Sequence, residues 1–158
     1  MGVSGCGKTE IGRRLAEMLH IDFIEGDQFH PVGNIRKMQS GIALTDDDRQ
    51  DWLQTLQQKI ALARKNQRGL VVSCSALKRS YRDLLRVGDP QLRFVHLHGS
   101  RSLIACRMRE RRDHFMPLSL LDSQLADLQM LQADEAGMQF DIRQSPEQLT
   151  DAIIRLAK

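Results

Sequence analysis

The chain has 158 residues, which is enough to bury one hydrophobic core and too few for two ordinary domains, so we expect a single domain over 1–158. A hydrophobic content of 41% with 27% charged residues excludes the disordered and collagen-like classes. The net charge of +3 comes from scattered basic residues, and the aromatic content is only 4%, which argues against a nucleic-acid-binding protein.

The first residues, GVSGCGKT, complete the phosphate-loop pattern G-x-x-x-x-G-K-T. In such a loop the backbone N–H groups surround phosphate oxygens, Lys8 places its charge on the β and γ phosphates, and Thr9 can bind Mg²⁺ directly. The alternative is a chance glycine-rich turn. An amphipathic helix over KTEIGRRLAEMLH follows at once, and this context favours a nucleotide site. Its apolar face consists of Ile11, Leu15, Met18 and Leu19. The candidate nucleotide-binding residues are Gly2, Val3, Ser4, Gly5, Cys6, Gly7, Lys8 and Thr9.

A phosphate loop normally follows a buried strand, and no residues precede this one to form it. Without that strand the central position of the sheet would be empty. We therefore expect the natural start to lie upstream and Met1 to be an internal methionine.

Strands and helices alternate after the first helix. IDFIEGD predicts a short strand, and HPVGNIRKMQSG predicts a loop with one helical turn. A long helix is expected to begin after Thr45, because this residue is a good N-cap and three aspartates follow it in the first turn, and to run to about Asn66. RGLVVSCS has the continuous apolar pattern of a strand that is covered on both faces.

The second half continues the alternation. LKRSYRDLLR predicts a helix, LRFVHLHG a strand, and SLIACRMRERR a helix that breaks at DHFMP. A helix across LSLLDSQLADLQML, a strand at MQFDI and a helix capped by Ser145, Pro146 and Gln148 complete the chain. This order predicts an α/β fold with a parallel sheet flanked by helices on both faces.

Asp27 follows the first predicted strand, where α/β sheets place ligand-binding groups. A carboxylate there could orient or deprotonate an attacking hydroxyl, or hold Mg²⁺ through water. The strand VVSCS ends without an acid, which makes Asp27 the best remaining candidate for the acidic partner of the metal. The alternative is that Asp27 is a solvated turn residue. His30 is a further candidate in the same stretch, and the alternative for it is simple loop packing.

Two basic clusters are further candidates. Ser75 and Lys78 lie where a strand leads into a helix that also carries Arg82, so they would face the crevice of the phosphate loop; an exposed basic helix face is the alternative. Arg107 and Arg111 are four residues apart on one helix face and could close over the transferring phosphoryl group, unless they form a plain solvated charge run.

The three cysteines, Cys6, Cys74 and Cys106, are odd in number and widely separated, which suits reduced thiols better than a disulfide framework. The sequence has no signal peptide and no apolar run long enough to cross a bilayer. We therefore expect a cytoplasmic protein without a membrane partner.

Taken together, GVSGCGKT, EGDQFHPVGNIRKMQSGIALTDDDR, CSALKRSYRDLLR, DHFMP and QADE resemble the gluconate kinases of the nucleoside-monophosphate-kinase-like group. The resemblance runs from Gly2 to about Ile142 and depends on the combination of motifs. It implies a P-loop kinase fold with a helical lid at about 107–131, and a homodimer.

The resemblance also implies a reaction: Mg²⁺ and ATP would serve to phosphorylate D-gluconate at its 6-hydroxyl. Lys8, Asp27, Lys78 and Arg111 would be catalytic, and Thr9 and Asp27 would hold the metal. Arg107 and Arg111 would add to the ATP site from the lid. The gluconate side would consist of Asp27, His30, Arg49, Ser75, Lys78 and Arg82.

Two other functions compete with this expectation. A related small-molecule kinase, for shikimate or another sugar acid, would share the loop, the fold and the lid. If activity requires the missing first strand, the protein would instead be an inactive nucleotide-binding remnant.

Overall fold

Helices and strands alternate along the chain in the order that the sequence predicts. The computed structural model describes residues 1–110 and 117–157. The helices are α1 (Lys8–Leu19), α2 (Val32–Gln39), α3 (Asp46–Lys65), α4 (Arg79–Gly88), α5 (Arg101–Glu110), α6 (Ser119–Asp127) and α7 (Pro146–Ala157). The strands are β1 (Asp22–Glu25), β2 (Leu70–Ser73), β3 (Phe94–His98) and β4 (Gly137–Asp141), and a short 3-10 helix, Gly26–Phe29, follows β1.

The strands form two parallel pairs. Strand β1 lies beside β2, with Glu25 opposite Ser73, and β3 lies beside β4, with Phe94 opposite Gly137. The predicted parallel arrangement is therefore confirmed for each pair. Because parallel strands end at the same edge, the residues after β1 and β2 are brought together there.

Met1 and Gly2 bridge the two pairs. The Leu97 N–H donates to the Met1 carbonyl at 3.0 Å, and the Gly2 N–H donates to the Ser75 carbonyl at 3.1 Å. Within the described ranges no further strand lies between β2 and β3, and a cavity of about 380 Å³ with mostly apolar walls lies there instead. The phosphate loop thus begins at Gly2, directly after Met1, and the backbones of these two residues are hydrogen-bonded to the end of β3 and to the loop after β2.

Helix starts follow the predicted caps. The Thr45 hydroxyl accepts from the Asp48 N–H at 3.2 Å, and the Asp48 carboxylate accepts from the Thr45 N–H at 2.9 Å. Ser145 and Gln148 form the same reciprocal pair before α7, at 3.0 and 3.3 Å. Each pair satisfies backbone donors that have no partner inside the helix.

Two predicted boundaries are wrong. Helix α2 has eight residues rather than one turn, and the buried Asn34 fastens it by donating to the Asp48 carbonyl at 2.5 Å. Helix α6 ends at Asp127 rather than near 131, because Leu128 is extended and the Gln129 N–H donates to the Leu77 carbonyl at 2.9 Å. Tertiary hydrogen bonds decide both boundaries.

Apolar clusters cover both faces of the strands. On one face, Ile11 of α1 and Ile104 of α5 pack with Val71, and on the other, Trp52 and Leu56 of α3 pack with neighbours that include Val72. Because adjacent residues of β2 enter opposite clusters, the prediction of a strand covered on both faces is confirmed.

The apolar stripe predicted for α1 is buried only in part, because Ile11 and Leu15 lie in the core whereas Met18 and Leu19 are exposed. None of the helices in the described ranges is long and apolar enough to span a lipid bilayer.

Candidate active site

The phosphate loop has backbone conformations that explain its glycines. Gly2, Gly5 and Gly7 have φ angles of 136°, 81° and 93°, which side chains rarely tolerate. A Cβ at Gly5 would also lie 2.6 Å from the Cγ of Met108. Since Gly7 is the N-cap of α1, the loop brings backbone N–H groups and the positive end of a 12-residue helix to one place, which is an anion site.

The residues of the phosphate loop differ in burial and in hydrogen-bond partners. Val3 and Cys6 are 2% and 1% exposed and pack in the core, so only their backbones are available to a nucleotide. Lys8 folds back over the loop and donates to the Val3 carbonyl at 3.0 Å. The Ser4 N–H donates to the side-chain oxygen of Gln124 at 2.7 Å, which brings α6 against the loop.

Thr9 identifies an acid that sequence reasoning missed. Its hydroxyl donates to the Glu25 carboxylate at 2.6 Å, and Glu25 is the last residue of β1. The strand end IEGD therefore carries two acids, Glu25 and Asp27, and only Asp27 was predicted. The position of Glu25 at the carboxyl end of a parallel strand was the signal.

These oxygens suit Mg²⁺. Magnesium prefers oxygen ligands and is usually held by one or two protein side chains together with substrate phosphates. Thr9 and Glu25 provide a hydroxyl and a carboxylate beside the phosphate loop. Among the described residues there is no group of three or more His, Cys, Asp or Glu that could hold a metal ion.

A narrow pocket opens beside the loop. Its walls come from the phosphate loop, the ends of β1 and β2, the α2–α3 region and α6. Six of the predicted site residues lie in these walls: Ser4, Lys8, Asp27, His30, Arg49 and Ser75. The pocket therefore brings the proposed phosphate contacts and much of the proposed acceptor side together.

His30 is a neutral group in this wall. Its ring stacks on Trp52 with a centroid distance of 4.1 Å, and burial together with the nearby Arg49 charge lowers its pKa to about 4. Its buried Nδ1 has no hydrogen-bond partner in the described part of the chain. Trp52 is itself fixed, because its indole N–H donates to the Gly26 carbonyl at 2.8 Å. The imidazole is thus held in place, with one buried nitrogen that has no hydrogen-bond partner among the described residues.

Cations next to the pocket are paired with acids. Arg49, which is 8% exposed, donates to the Tyr81 hydroxyl at 2.9 Å and to Asp127 at 3.1 Å. Lys78 contacts Asp46 at 2.7 Å and Asp127 at 3.5 Å. The hydrogen bond between Lys78 and Asp46 raises the pKa of the lysine and lowers that of the aspartate. Lys78 therefore lies beside the pocket wall and is joined to it through Asp127.

Two predicted residues bind partners outside the pocket walls, and a third is not described. Arg82 is completely buried, and its guanidinium binds Glu135 and backbone carbonyls, so the structure does not place it in the pocket as a substrate contact. Arg107 donates to the Ile142 carbonyl at 2.8 Å. Arg111 lies outside the described residues.

Helix α6 supplies a pocket face that was not predicted. Leu120, Ser123 and Gln124 line the pocket, and Asp127 follows on the same side of the helix. The spacing i, i+3, i+4, i+7 of these four residues was the available signal.

Comparisons with known proteins agree on one group. The sequence model of the shikimate kinase family matches residues 4–155. The thermosensitive gluconokinase of Escherichia coli (strain K12) is 44% identical over 162 residues, covering 99% of this chain and 86% of that protein.

Two solved structures resemble the whole chain. A gluconokinase from Sinorhizobium meliloti 1021 has a TM-score of 0.88 at 47% identity, covering 99% of this chain and 90% of that chain. A sugar kinase from Janibacter sp. HTCC2649 has a TM-score of 0.95 at 47% identity, with coverages of 98% and 90%.

Proposed function

The chain belongs to the gluconokinases, within the family that the shikimate kinase model describes, and we propose that it phosphorylates D-gluconate at the 6-hydroxyl with ATP. The observation that carries this function is the likeness to gluconokinases over nearly the whole chain. The same comparisons confirm the predicted α/β P-loop kinase fold.

The nucleotide side of the reaction depends on the phosphate loop. The N–H groups of 2–9 would bind the phosphates of ATP, and Lys8 would neutralise charge on the γ-phosphoryl group. An oxygen of gluconate forms the new bond to the γ-phosphorus, and the bond from that phosphorus to the oxygen it shares with the β-phosphate breaks. The products are 6-phosphogluconate, ADP and a proton.

Mg²⁺ fits the oxygen donors at the loop. Thr9 and Glu25 would hold it, with Asp27 nearby to bind through water. The ion would supply charge neutralisation for the phosphates of ATP.

The acceptor side would be formed by polar groups around the pocket. Asp27 would orient the 6-hydroxyl and take its proton, and the neutral His30 and Ser75 would bind other hydroxyl groups. Arg49 and Lys78 would attract the carboxylate of gluconate, since Arg49 lines the pocket and Lys78 shares the partner Asp127 with it. Phosphoryl transfer needs mainly such positioning and charge neutralisation.

The lid remains a proposal. The region 107–131 would close over ATP, with Arg107 and Arg111 contributing positive charge. In the described residues Arg107 binds a backbone carbonyl of Ile142, so this role requires it to change partner on closure.

A kinase for shikimate is the second candidate, because the matching family model bears that name. ADP release measured with gluconate, shikimate and other sugar acids separates the two. We expect turnover with gluconate, and turnover with shikimate alone would overturn the assignment. No turnover with any acceptor would instead support an inactive remnant.

Asp27→Asn tests the acceptor side directly. We expect kcat to fall by about 10²–10⁴-fold, the usual contribution of a general base. Asp22→Asn is the matched control, since Asp22 begins β1, the strand that leads to Asp27, but is exposed and paired with Arg68. Equal losses in both variants would contradict the role of Asp27.

Assembly and location are also proposals. We infer a homodimer from the family resemblance, which light scattering on the purified protein would test. A cytoplasmic location is consistent with three unpaired cysteines, and burial raises the pKa of Cys74 to about 12. Neither nucleic acid nor a membrane is proposed as a partner.

A further inference from the structure

Arg82 and Glu135 form an ion pair in the interior, although neither has a place in the pocket. Both side chains are 0% exposed. Arg82 Nε and Nη2 each donate to one oxygen of Glu135 at 2.7 Å, the parallel two-bond geometry that arginine makes with carboxylates. Burying two charges costs several kcal/mol per ion in desolvation, so the pair calls for an explanation beyond simple packing.

The remaining donors of Arg82 join two segments of the chain. Its Nη1 donates to the carbonyls of Ala76, Leu77 and Gln129 at 3.2, 3.1 and 3.0 Å, and its Nη2 reaches the Met130 carbonyl at 3.4 Å. Ala76 and Leu77 belong to the loop that leaves β2, whereas Gln129 and Met130 belong to the stretch that follows α6. One guanidinium therefore holds both backbones.

Both segments are otherwise irregular. Ala76 has a φ of 43°, in the left-handed region that alanine rarely occupies, so its conformation depends on the contacts around it. Glu135 in turn accepts from the Gln132 N–H at 3.1 Å, which fixes the turn in the second segment. The ion pair supplies order that no helix or strand provides at these positions.

Each segment carries residues of the proposed acceptor site. The loop after β2 carries Ser75 in the pocket wall and Lys78 beside it. The stretch after α6 begins at the end of a helix whose last residue, Asp127, contacts both Lys78 and Arg49. A relative shift of the two segments would therefore move Lys78 with respect to Asp127, the acid that it shares with Arg49.

We propose that Arg82 and Glu135 are positioning residues that hold the 75–78 loop and the end of α6 together and thereby set the affinity for the acceptor. This inference rests on the proposed function, because the acceptor is taken to be gluconate. A purely structural pair would lower stability and leave the KM of the folded enzyme unchanged. A positioning pair would raise the KM for gluconate more than the KM for ATP, because Lys8 and Thr9 bind Val3 and Glu25, which lie outside both segments.

The test uses Glu135→Gln, which keeps the shape of the side chain and removes its charge. Asp134→Asn is the matched control: Asp134 binds Arg79 at 2.8 Å through two bonds and links the same helix to the same stretch, but at the surface. Steady-state kinetics are measured well below the melting temperature of each variant. We expect the KM for gluconate to rise at least tenfold in Glu135→Gln and less than twofold in Asp134→Asn. An unchanged KM for gluconate in folded Glu135→Gln, or equal rises in both KM values, would overturn the proposal.

A second measurement does not depend on turnover. Amide hydrogen exchange of the 75–78 and 127–135 segments is expected to be at least tenfold faster in Glu135→Gln than in Asp134→Asn, and equal exchange would refute the positioning role. If Glu135→Gln does not fold, Arg82→Lys replaces it, since lysine keeps the charge but cannot bind the carboxylate and four carbonyls together. If the wild-type protein does not turn over gluconate, the proposed function fails, and hydrogen exchange still decides whether the pair orders these segments.

Discussion

Replacement of Gly26 by alanine is expected to displace Asp27 and remove most of the activity. A Cβ at Gly26 would lie 2.4 Å from the Ser73 carbonyl oxygen and 3.3 Å from the Cδ1 of Leu56. An ordinary contact needs about 3.5 Å, so the end of β1 would have to move by about 1 Å away from β2. The obstacle is backbone rather than a flexible side chain, which leaves no inexpensive way to relieve it.

The size of the effect follows from what holds Gly26 in place. Its carbonyl accepts from the indole of Trp52 at 2.8 Å, and the preceding residue, Glu25, is in register with Ser73. A displacement of about 1 Å at reacting groups costs about 100-fold in rate. Overpacking of this kind destabilises by about 1–3 kcal/mol. We therefore expect kcat/KM to fall about 100-fold and the free energy of unfolding to fall by about 1–3 kcal/mol.

The assay measures kcat and KM for gluconate together with urea unfolding. Gly33→Ala is the control, because a Cβ at Gly33 would meet nothing within 4 Å and the residue lies inside α2. Alanine there should raise stability by about 0.5–1 kcal/mol and leave the activity unchanged. Activity of Gly26→Ala within threefold of the wild type would refute the reasoning, as would equal losses in both variants.

Three further predictions follow from the same site. Lys8→Met is expected to lower kcat by about 10²–10³-fold without changing the circular dichroism spectrum, because the positive charge that Lys8 places beside the phosphates is lost. A fall in kcat of less than tenfold would contradict this. The pKa values of His30 and His96 are lowered by burial to about 4, so the folded state binds fewer protons than the unfolded state below pH 6.5. Stability should therefore fall as the pH drops from about 6.5 to about 4, and urea melts of His30→Asn should show a shallower fall than the wild type. Trp52→Phe keeps an aromatic ring beside His30 but leaves the Gly26 carbonyl without its donor, which should cost about 1–3 kcal/mol of unfolding free energy in urea melts; no loss would show that this carbonyl finds another partner.

Local signals predicted much of the fold. Thr45 and Ser145 cap their helices as their sequence contexts indicate, because the partner of each cap lies three residues along the chain. The glycine spacing of the phosphate loop is equally local, since it reflects backbone conformations that few other residues adopt. Features that depend on interactions between residues close together in the sequence can therefore be predicted from the sequence pattern.

Contacts between distant segments were not predictable in this way. Arg82 was predicted as a substrate contact, with an exposed basic helix face as the alternative, and neither interpretation named its partner Glu135, which lies 53 residues later. Asp46 lies in the first turn of α3 as predicted, and it also binds Lys78 from 32 residues away. In both cases the partner is a charged side chain that only the tertiary structure brings close.

Helix α6 shows how the two kinds of information combine. Its sequence predicts a helix in the lid region, and two of its side chains that line the pocket, Ser123 and Gln124, are polar. Gln124 binds the phosphate loop through the Ser4 N–H, and Asp127 binds Arg49 on the acceptor side. One helix thus contacts the loop expected to hold ATP and the cation expected to hold the acceptor carboxylate. The hydrogen-bond acceptors on α6 are the side-chain amide oxygen of Gln124 at the phosphate loop and the carboxylate of Asp127 at Arg49. An anionic ligand that binds at the phosphate loop or at Arg49 therefore competes with these oxygen atoms. The affinity of the site for its ligands is therefore linked to the position of this helix.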